Sequence, residues 1–573
     1  MAEIINGLQS AQDTYGHVLI AILRYLAPVL AGFLLFRCIK PLLSFRKDPE
    51  IWGWAVLDNG AEVPITHWET VIGSSKRSDI RLSGPGVAKN HAVLTRYDDG
   101  SWAIRNADPK NSLLVNNSPV DVRAIEPEDI ITIGETEMSL QPITKRQERH
   151  LSQLRTKAST VLYSASNLLL LTAFQALCLL AFLLGRPMES ATSVFYGFAG
   201  IAVCQWALLS FYVLIRRTSF EIETIAFFLC TMGMCAISAV VPGEAVKQLV
   251  AMILGLAAFL GVGWSLRDLE RAKLTRRVAS VAGIGFLVVT LLFGTTYYGA
   301  KNWLVIGSFS IQPSELSKVC FVYAGASAMD RLMDKKNLIG FIAYSALMCV
   351  CLALMNDFGT ALIFFCTFLV IAYLRSGSVG TIGLACASVG YAGVMVLKIA
   401  PHALRRFATW RHIWEASFDA GYQQTRALMC MASGGILGLG AGRGWMKNLF
   451  AADSDMVIAT LSEEWGLLMV LMMVLCFVAL ALFAVRSARL ARSSFYVIGA
   501  TTASAVLLVQ VILNALGTVD ILPLTGVTFP FVSNGGSSMI CAWGLLAFVK
   551  AGDTRQNASF AVKLVKKRGL PDE

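Results

Sequence analysis

Charge is scarce in this chain. Only 15% of its 573 residues are Asp, Glu, Lys or Arg, while 55% are hydrophobic, and mean hydropathy is +0.60. So small a polar share excludes an ordinary soluble globule and implies a polytopic membrane protein. No C-x-x-C pair occurs among the 13 cysteines, and Cys178, Cys204, Cys230, Cys235 and Cys351 fall inside apolar runs. They read as small reduced hydrophobes, not as a disulfide framework or a metal site. Met1 to Gly16 has acids and no basic run ahead of the first apolar stretch, so no signal peptide is expected. The net charge of +11 sits in short clusters between apolar runs. That is the pattern of loops beside an anionic leaflet, and no nucleic-acid partner is expected.

What is present is apolar sequence in helix-length blocks. Segments near 17–37, 160–185, 193–214, 222–241, 246–265, 276–294, 313–331, 338–354, 356–374, 379–399, 456–485, 494–516 and 534–551 can each span a bilayer, about 13 in all. The basic loops at Arg216-Arg217, Arg267 to Arg277, Lys335-Lys336, Arg486 to Arg492 and Lys563 to Arg568 then all fall on one side, the cytoplasmic one. The N-terminus is expected outside, the C-terminus inside, and the Pro401 to Ser454 loop outside. Residues 48–145 differ: short apolar stretches such as Trp52 to Leu57, His91 to Leu94 and Ser101 to Arg105 alternate with polar residues, and Asp98-Asp99-Gly100 supplies a hairpin turn. They predict a small cytoplasmic β-sandwich. A charged linker, Thr144 to Lys157, leads back to the membrane.

The β-domain resembles the forkhead-associated (FHA) family through Val71-Ile72-Gly73-Ser74, Ser78 to Leu82, Asn90 to Leu94 and Leu114 to Asn117. The resemblance implies phosphothreonine binding, but Ser74, Ala88 and Leu113 stand where the family has Arg, Ser and Thr. Two readings stay open. Ser74, Lys76, Arg77, Lys89 and Asn116 form a phosphopeptide surface by charge, or the sandwich docks a partner or the bundle without reading phosphate. His91 matches a residue that braces loops in the family.

Four motifs fall on the outer side of the bundle. The first runs from Gly299 through Trp303 to Gly307, then Gln312-Pro313-Ser314-Glu315 with Lys318. Its Pro starts a helix whose first turn favours Glu315, and Lys318 shares a face with Ser314 and Glu315. Met355-Asn356-Asp357-Phe358-Gly359-Thr360 is the second, where Asp357 either caps a helix or faces a ligand. A third is the large loop with Arg405-Arg406, Arg411, Arg443 and Asp453-Ser454-Asp455, followed by Glu463-Glu464. Arg405 and Arg406 read as headgroup contacts, and one of the two glutamates reads as an ion-pair partner. The fourth, Leu522-Pro523-Leu524-Thr525-Gly526 and Phe529-Pro530-Phe531-Val532-Ser533-Asn534-Gly535-Gly536-Ser537-Ser538, breaks a helix at membrane depth. Such backbone is tolerated only where it lines a cavity. Trp303 suits an interfacial belt or a substrate platform, and Lys318 can snorkel, pair with Glu315 or meet a ligand. Asp455, at a loop-to-helix junction, is a functional candidate by default.

Together the motifs resemble the SEDS family (shape, elongation, division and sporulation) over about 220–551. The resemblance implies a ten-helix core that polymerises lipid II into glycan strands at the outer face of the bacterial cytoplasmic membrane. It gives Asp455 the catalytic role, and assigns Lys318, Glu315, Ser314, Trp303, Arg411, Arg443 and Asp357 to substrate. The chain departs from the pattern at Asn356 for Pro, at Leu449 to Asp453 for a Pro, Glu and His segment, and at Asn534 for Tyr. Asp453 is then a candidate substitute for the missing Glu and His.

The expected architecture is an all-α membrane bundle with a small β-sandwich. Its units are an N-terminal helix and linker (1–47), the FHA-like domain (48–145), a linker with two extra helices (146–219), the core (220–551) and a basic tail (552–573). Expected partners are lipid II, undecaprenyl pyrophosphate, a class B penicillin-binding protein and a cytoplasmic phosphoprotein. No cofactor is required unless a divalent cation (Mg or Mn) accompanies the pyrophosphate. A lipid-linked precursor transporter and a non-catalytic scaffold are the rival functions.

Overall fold

The computed structural model describes residues 2–44, 51–76, 78–97, 100–144, 146–147, 159–185, 191–267, 269–297, 299–307, 309–328, 335–376, 379–399, 408–488, 493–555 and 558–560. Alternating short strands give the sandwich. They are β1 (Gly53–Leu57), β2 (Glu62–Ile65), β3 (Glu69–Gly73), β4 (Ile80–Arg81), β5 (Ala92–Arg96), β6 (Trp102–Asn106), β7 (Leu113–Val115), β8 (Ser118–Pro119), β9 (Val122–Ile125), β10 (Ile130–Ile133) and β11 (Thr136–Pro142). One sheet has the order β2-β1-β11-β10-β7-β8, the other β4-β3-β5-β6-β9. Period-2 alternation sends Ile72, Leu94, Ile104 and Ile131 inward, where they pack with Trp52 and Trp68. Each such side chain contributes about 1.5–3 kcal/mol by leaving water.

The bundle follows from the apolar blocks. Its helices are α1 (Ala2–Leu43), α2 (Val161–Gly185), α3 (Ala191–Leu214), α4 (Glu221–Val240), α5 (Ala245–Ser265), α6 (Leu269–Phe293), α7 (Pro313–Ala328), α8 (Lys335–Leu354), α9 (Phe358–Ser376), α10 (Val379–Ile399), α11 (Tyr422–Gly434), α12 (Val457–Trp465), α13 (Leu467–Ala488), α14 (Ser494–Thr518) and α15 (Gly536–Ala551). Eight of the described helices are long and apolar enough to cross a membrane, with three shorter apolar ones beside them. Every expected segment falls on a helix, but 456–485 is two helices. They part at Gly466, whose φ of +88° suits glycine, and a Cβ there would lie 2.2 Å from Ile436 O. Unexpected strands β12 (Thr295–Tyr297), β13 (Ala300–Ile306) and β14 (Phe309–Ile311) form a small antiparallel sheet through the first motif. All thirteen cysteines are free.

The two ends of the bundle differ in their polar chemistry. At one end a charge network is buried between α4, α15 and the segment after it. Lys550 pairs with Glu223 at 3.1 Å, while Arg555 pairs with Glu221 at 3.3 Å and Asp553 at 2.7 Å. Tyr212 donates to Glu223 at 2.7 Å and Ser164 to Thr218 O at 2.8 Å, which fastens α3 and α2 to this end. The β-sandwich docks at the same end of α14. Ser494 donates from N and from Oγ, each at 2.8 Å, to one oxygen of Glu69, and Ser493 Oγ donates to the other at 3.1 Å. Ser493 is also the N-cap, accepting from Phe495 N. An acid there is favourable by about 0.3–1 kcal/mol. Glu69 opens β3, and Ser74 follows its far end, so docking and recognition loops are separated by the strand's length, about 13 Å.

Candidate active site

The acid lies at the other end of α14. Ala452 to Asp455 forms a tight turn ahead of α12, entered through Ala451 at φ +57°. Its four successive carbonyls each accept a bond from outside the turn. Thr460 Oγ1 donates to Ala452 O at 2.7 Å, Asn534 N to Asp453 O at 2.8 Å, Ser533 Oγ to Ser454 O at 2.7 Å, and Asn514 Nδ2 to Asp455 O at 2.9 Å. Asp455 itself is half-buried. Its carboxylate faces Gly526, where an added Cβ would stand 3.4 Å from Oδ2, on a backbone whose φ of +68° already favours glycine.

Short-range chemistry explains the departures from the family pattern. Asn534 Nδ2 donates to Asp453 Oδ2 at 2.8 Å and to Glu244 Oε2 at 3.0 Å. Asp453 thus braces the turn through the residue that stands in place of Tyr. Asn356 has φ +59°, which Asn tolerates and the pyrrolidine ring of Pro forbids.

Hydrogen bonds knit all four motifs together. Gln312 N donates to Ser537 Oγ at 2.9 Å, joining the first to the fourth. Asp357 takes bonds from Asn302 (3.3 Å), Gln312 (3.5 Å) and Thr360 N (3.1 Å), so it caps α9 and holds the first motif at once. Lys318, 2% exposed, gives its ammonium to Glu315, 3% exposed, at 2.5 Å. Ser314 Oγ and Glu315 Oε2 are buried beside that pair without a partner among the described residues. Trp303 is half-buried on β13, with its carbonyl taking a bond from Thr295. Arg411 is exposed, stacked 5.3 Å from the Trp410 ring, with its N–H on Asp520; Arg443 is exposed on the Gly-rich loop. Arg405 and Arg406 lie outside the described residues.

Glu463 and Glu464 both clamp the Gly-rich loop through backbone amides. Glu463 accepts from Trp445 N (2.8 Å) and Met446 N (2.9 Å), and Glu464 from Gly442 N (3.0 Å) and Gly444 N (3.4 Å). Glycines there bring the donors close with no side chain between. Among residues the sequence did not single out, Asn514 and Glu244 belong to the site.

On the sandwich, Ser74 Oγ is turned to Val87 O, while Lys76 and Lys89 are exposed. Arg77 lies outside the described residues, as do Asp98 and Asp99. His91 bridges two loops: Nδ1 accepts from Ala88 N and Nε2 donates to Ser112 O, each at 3.2 Å. Asn116 is committed internally: it donates to Asp129 at 2.6 Å and accepts from Ile130 N at 2.9 Å. The amide of Glu126, and then Asn116, hold the Asp129 carboxyl below its ordinary range.

The chain matches the family model described as "Cell cycle protein" (FtsW, RodA, SpoVE) over residues 224–557. It is 28% identical to "Peptidoglycan glycosyltransferase RodA" of Mycobacterium bovis, over 53% of this chain and 69% of that protein. It is 32% identical to "Probable peptidoglycan glycosyltransferase FtsW" of Tolumonas auensis, over 49% of this chain and 76% of that protein. Residues 56–144 match the family model "Inner membrane component of T3SS, cytoplasmic domain". The sandwich is similar to a solved FHA domain described for phosphothreonine-dependent interactions, at 23% identity and TM-score 0.16 over 16% of this chain and 98% of that one.

Proposed function

This chain belongs to the FtsW/RodA/SpoVE family of cell cycle proteins, and we propose that it is a peptidoglycan glycosyltransferase that polymerises lipid II at the outer face of the cytoplasmic membrane. The observation that carries the reading is Asp455: a half-buried carboxylate on a turn gripped at four carbonyls and set against Gly526 of the fourth motif. Asp455 takes the proton of the acceptor 4-hydroxyl as that oxygen attacks the anomeric carbon. The bond from that carbon to the pyrophosphate breaks, and undecaprenyl pyrophosphate leaves with the electron pair. A positioned base contributes about 10²–10⁴-fold.

The leaving pyrophosphate needs positive charge. Lys318 is the buried cation of the first motif, and Glu315 must share it for that role. Arg411 and Arg443 are the exposed alternatives. A divalent cation would enter with the pyrophosphate, whose oxygens are the hard ligands Mg or Mn prefers. The one-sided basic loops support a cytoplasmic sandwich, at the far end of α14 from Asp455, that meets a partner through Lys76 and Lys89; a class B penicillin-binding protein cross-links the product.

Purified protein, with and without a class B penicillin-binding protein, is incubated with labelled lipid II and the glycan product is separated. Polymer from the wild-type chain and none from Asp455→Asn supports the reading. Lipid II crossing a bilayer without polymer would support the transporter instead, and full activity in Asp455→Asn would remove the acid from the mechanism.

A further inference from the structure

Asn514 stands apart from every residue the sequence motifs select. It sits near the C-terminal end of α14, is 2% exposed, and spends both hydrogens of its amide on carbonyls of two different segments. Nδ2 donates to Asp455 O at 2.9 Å and to Val527 O at 2.7 Å. Val527 follows Gly526, the residue against the Asp455 carboxylate. Ser533 and Asn534 tie Ser454 and Asp453 to the fourth motif directly; Asn514 ties Asp455 itself to the Gly526-Val527 part of that motif, from a helix that belongs to neither.

We propose that Asn514 is the positioning residue for Asp455, holding the carboxylate at its working distance from the fourth motif. The inference rests on the glycosyltransferase reading above. The other three carbonyls of the turn are held by Thr460, Ser533 and Asn534, which fix its shape; Asn514 grips the backbone of the residue that carries the acid and, through the same atom, the opposite wall. No apolar or acidic replacement of similar size can do this. Leu has no donor, and ionised Asp presents oxygens to two carbonyl oxygens. The turn stays attached at its other three points, so the expected defect is in aim and not in folding.

A misplacement of about 1 Å at a reacting group can cost roughly 100-fold. Asn514→Leu and the near-isosteric Asn514→Asp should each lower kcat for lipid II polymerisation by about 10- to 100-fold. KM for lipid II should stay within about two-fold, because both amide hydrogens of Asn514 are spent on the protein's own carbonyls. The melting temperature of the detergent-solubilised protein is measured alongside; since Asn514→Asp keeps volume and polarity, it remains a test if Asn514→Leu fails to fold. Wild-type kcat in either folded variant would overturn the inference, as would a rise in KM that accounts for the whole loss or a fall in kcat matched by collapse of the melting temperature in both. Absence of polymer from the wild-type chain would instead sink the functional reading itself.

Discussion

Removing the charge from Glu463 tests how the active-site loop is held. Its two oxygens receive Trp445 N at 2.8 Å and Met446 N at 2.9 Å, and its side chain is buried. A hydrogen bond to an ionised group is worth about 1.5–3 kcal/mol, a neutral one about half that. Glu463→Gln keeps one acceptor, now neutral, and turns an NH2 group towards the second N–H. The expected loss is about 2–3 kcal/mol of loop attachment, which is roughly a 30- to 150-fold shift towards the detached loop. Hydrogen–deuterium exchange reads this directly: amides of residues 442–446 should exchange faster by about that factor, while those in the middle of α13 stay unchanged. Because the loop leads within a few residues to Asp455, polymerisation should fall about tenfold or more. Unchanged exchange at Trp445 and Met446 would refute the clamp, whatever happened to activity.

Three other outcomes are expected. Lys318→Met should destabilise the protein by roughly 3–5 kcal/mol by stranding buried Glu315, seen as a lower melting temperature; Glu315→Gln/Lys318→Met should recover stability but not polymer, and polymer from the double variant would make the pair purely structural. In intact cells Asn448→Cys should react with a membrane-impermeant thiol reagent above the wild-type background and Asn116→Cys should not, and labelling at position 116 would invert the topology. Glu69→Ala should speed exchange at the first turn of α14 and free the sandwich to proteolysis, with in vitro polymerisation within a few-fold of wild type; an unaltered first turn would mean that Glu69 docks nothing.

The bundle was legible because hydropathy is local. A helix in lipid satisfies its own backbone, so its boundaries follow from the apolar run and not from partners. That is why the blocks at 160–185, 193–214, 222–241 and 246–265 match α2 to α5 within a few residues. Two features escaped for opposite reasons. The break at Gly466 hides inside continuous apolar sequence; it comes from backbone packing against Ile436, a contact made only by the folded loop. Strands β12 to β14 were masked by a motif read for its chemistry. Their signal was present all the same: Trp303-Leu304-Val305-Ile306 is a β-prone run bounded by Gly299 and Gly307.

The site divides along the same line. Asp455 could be found from its own neighbourhood, an acid between a Gly-rich loop and an apolar helix. Its aim could not, because the groups that fix it come from 59 residues away, at Asn514 on Asp455, and 79 residues away, at Ser533 on the neighbouring Ser454. Nothing in the local sequence of α14 distinguishes Asn514 from a polar residue tolerated in a bundle; its role exists only where the helix end meets two loops. The same holds for Glu69, which in the sequence is an acid at a strand edge and in the fold accepts from Ser493 and Ser494 at the start of α14. The two acids thus sit at opposite ends of one helix, Glu69 on its first turn and Asp455 held by Asn514, twenty residues or about 30 Å apart.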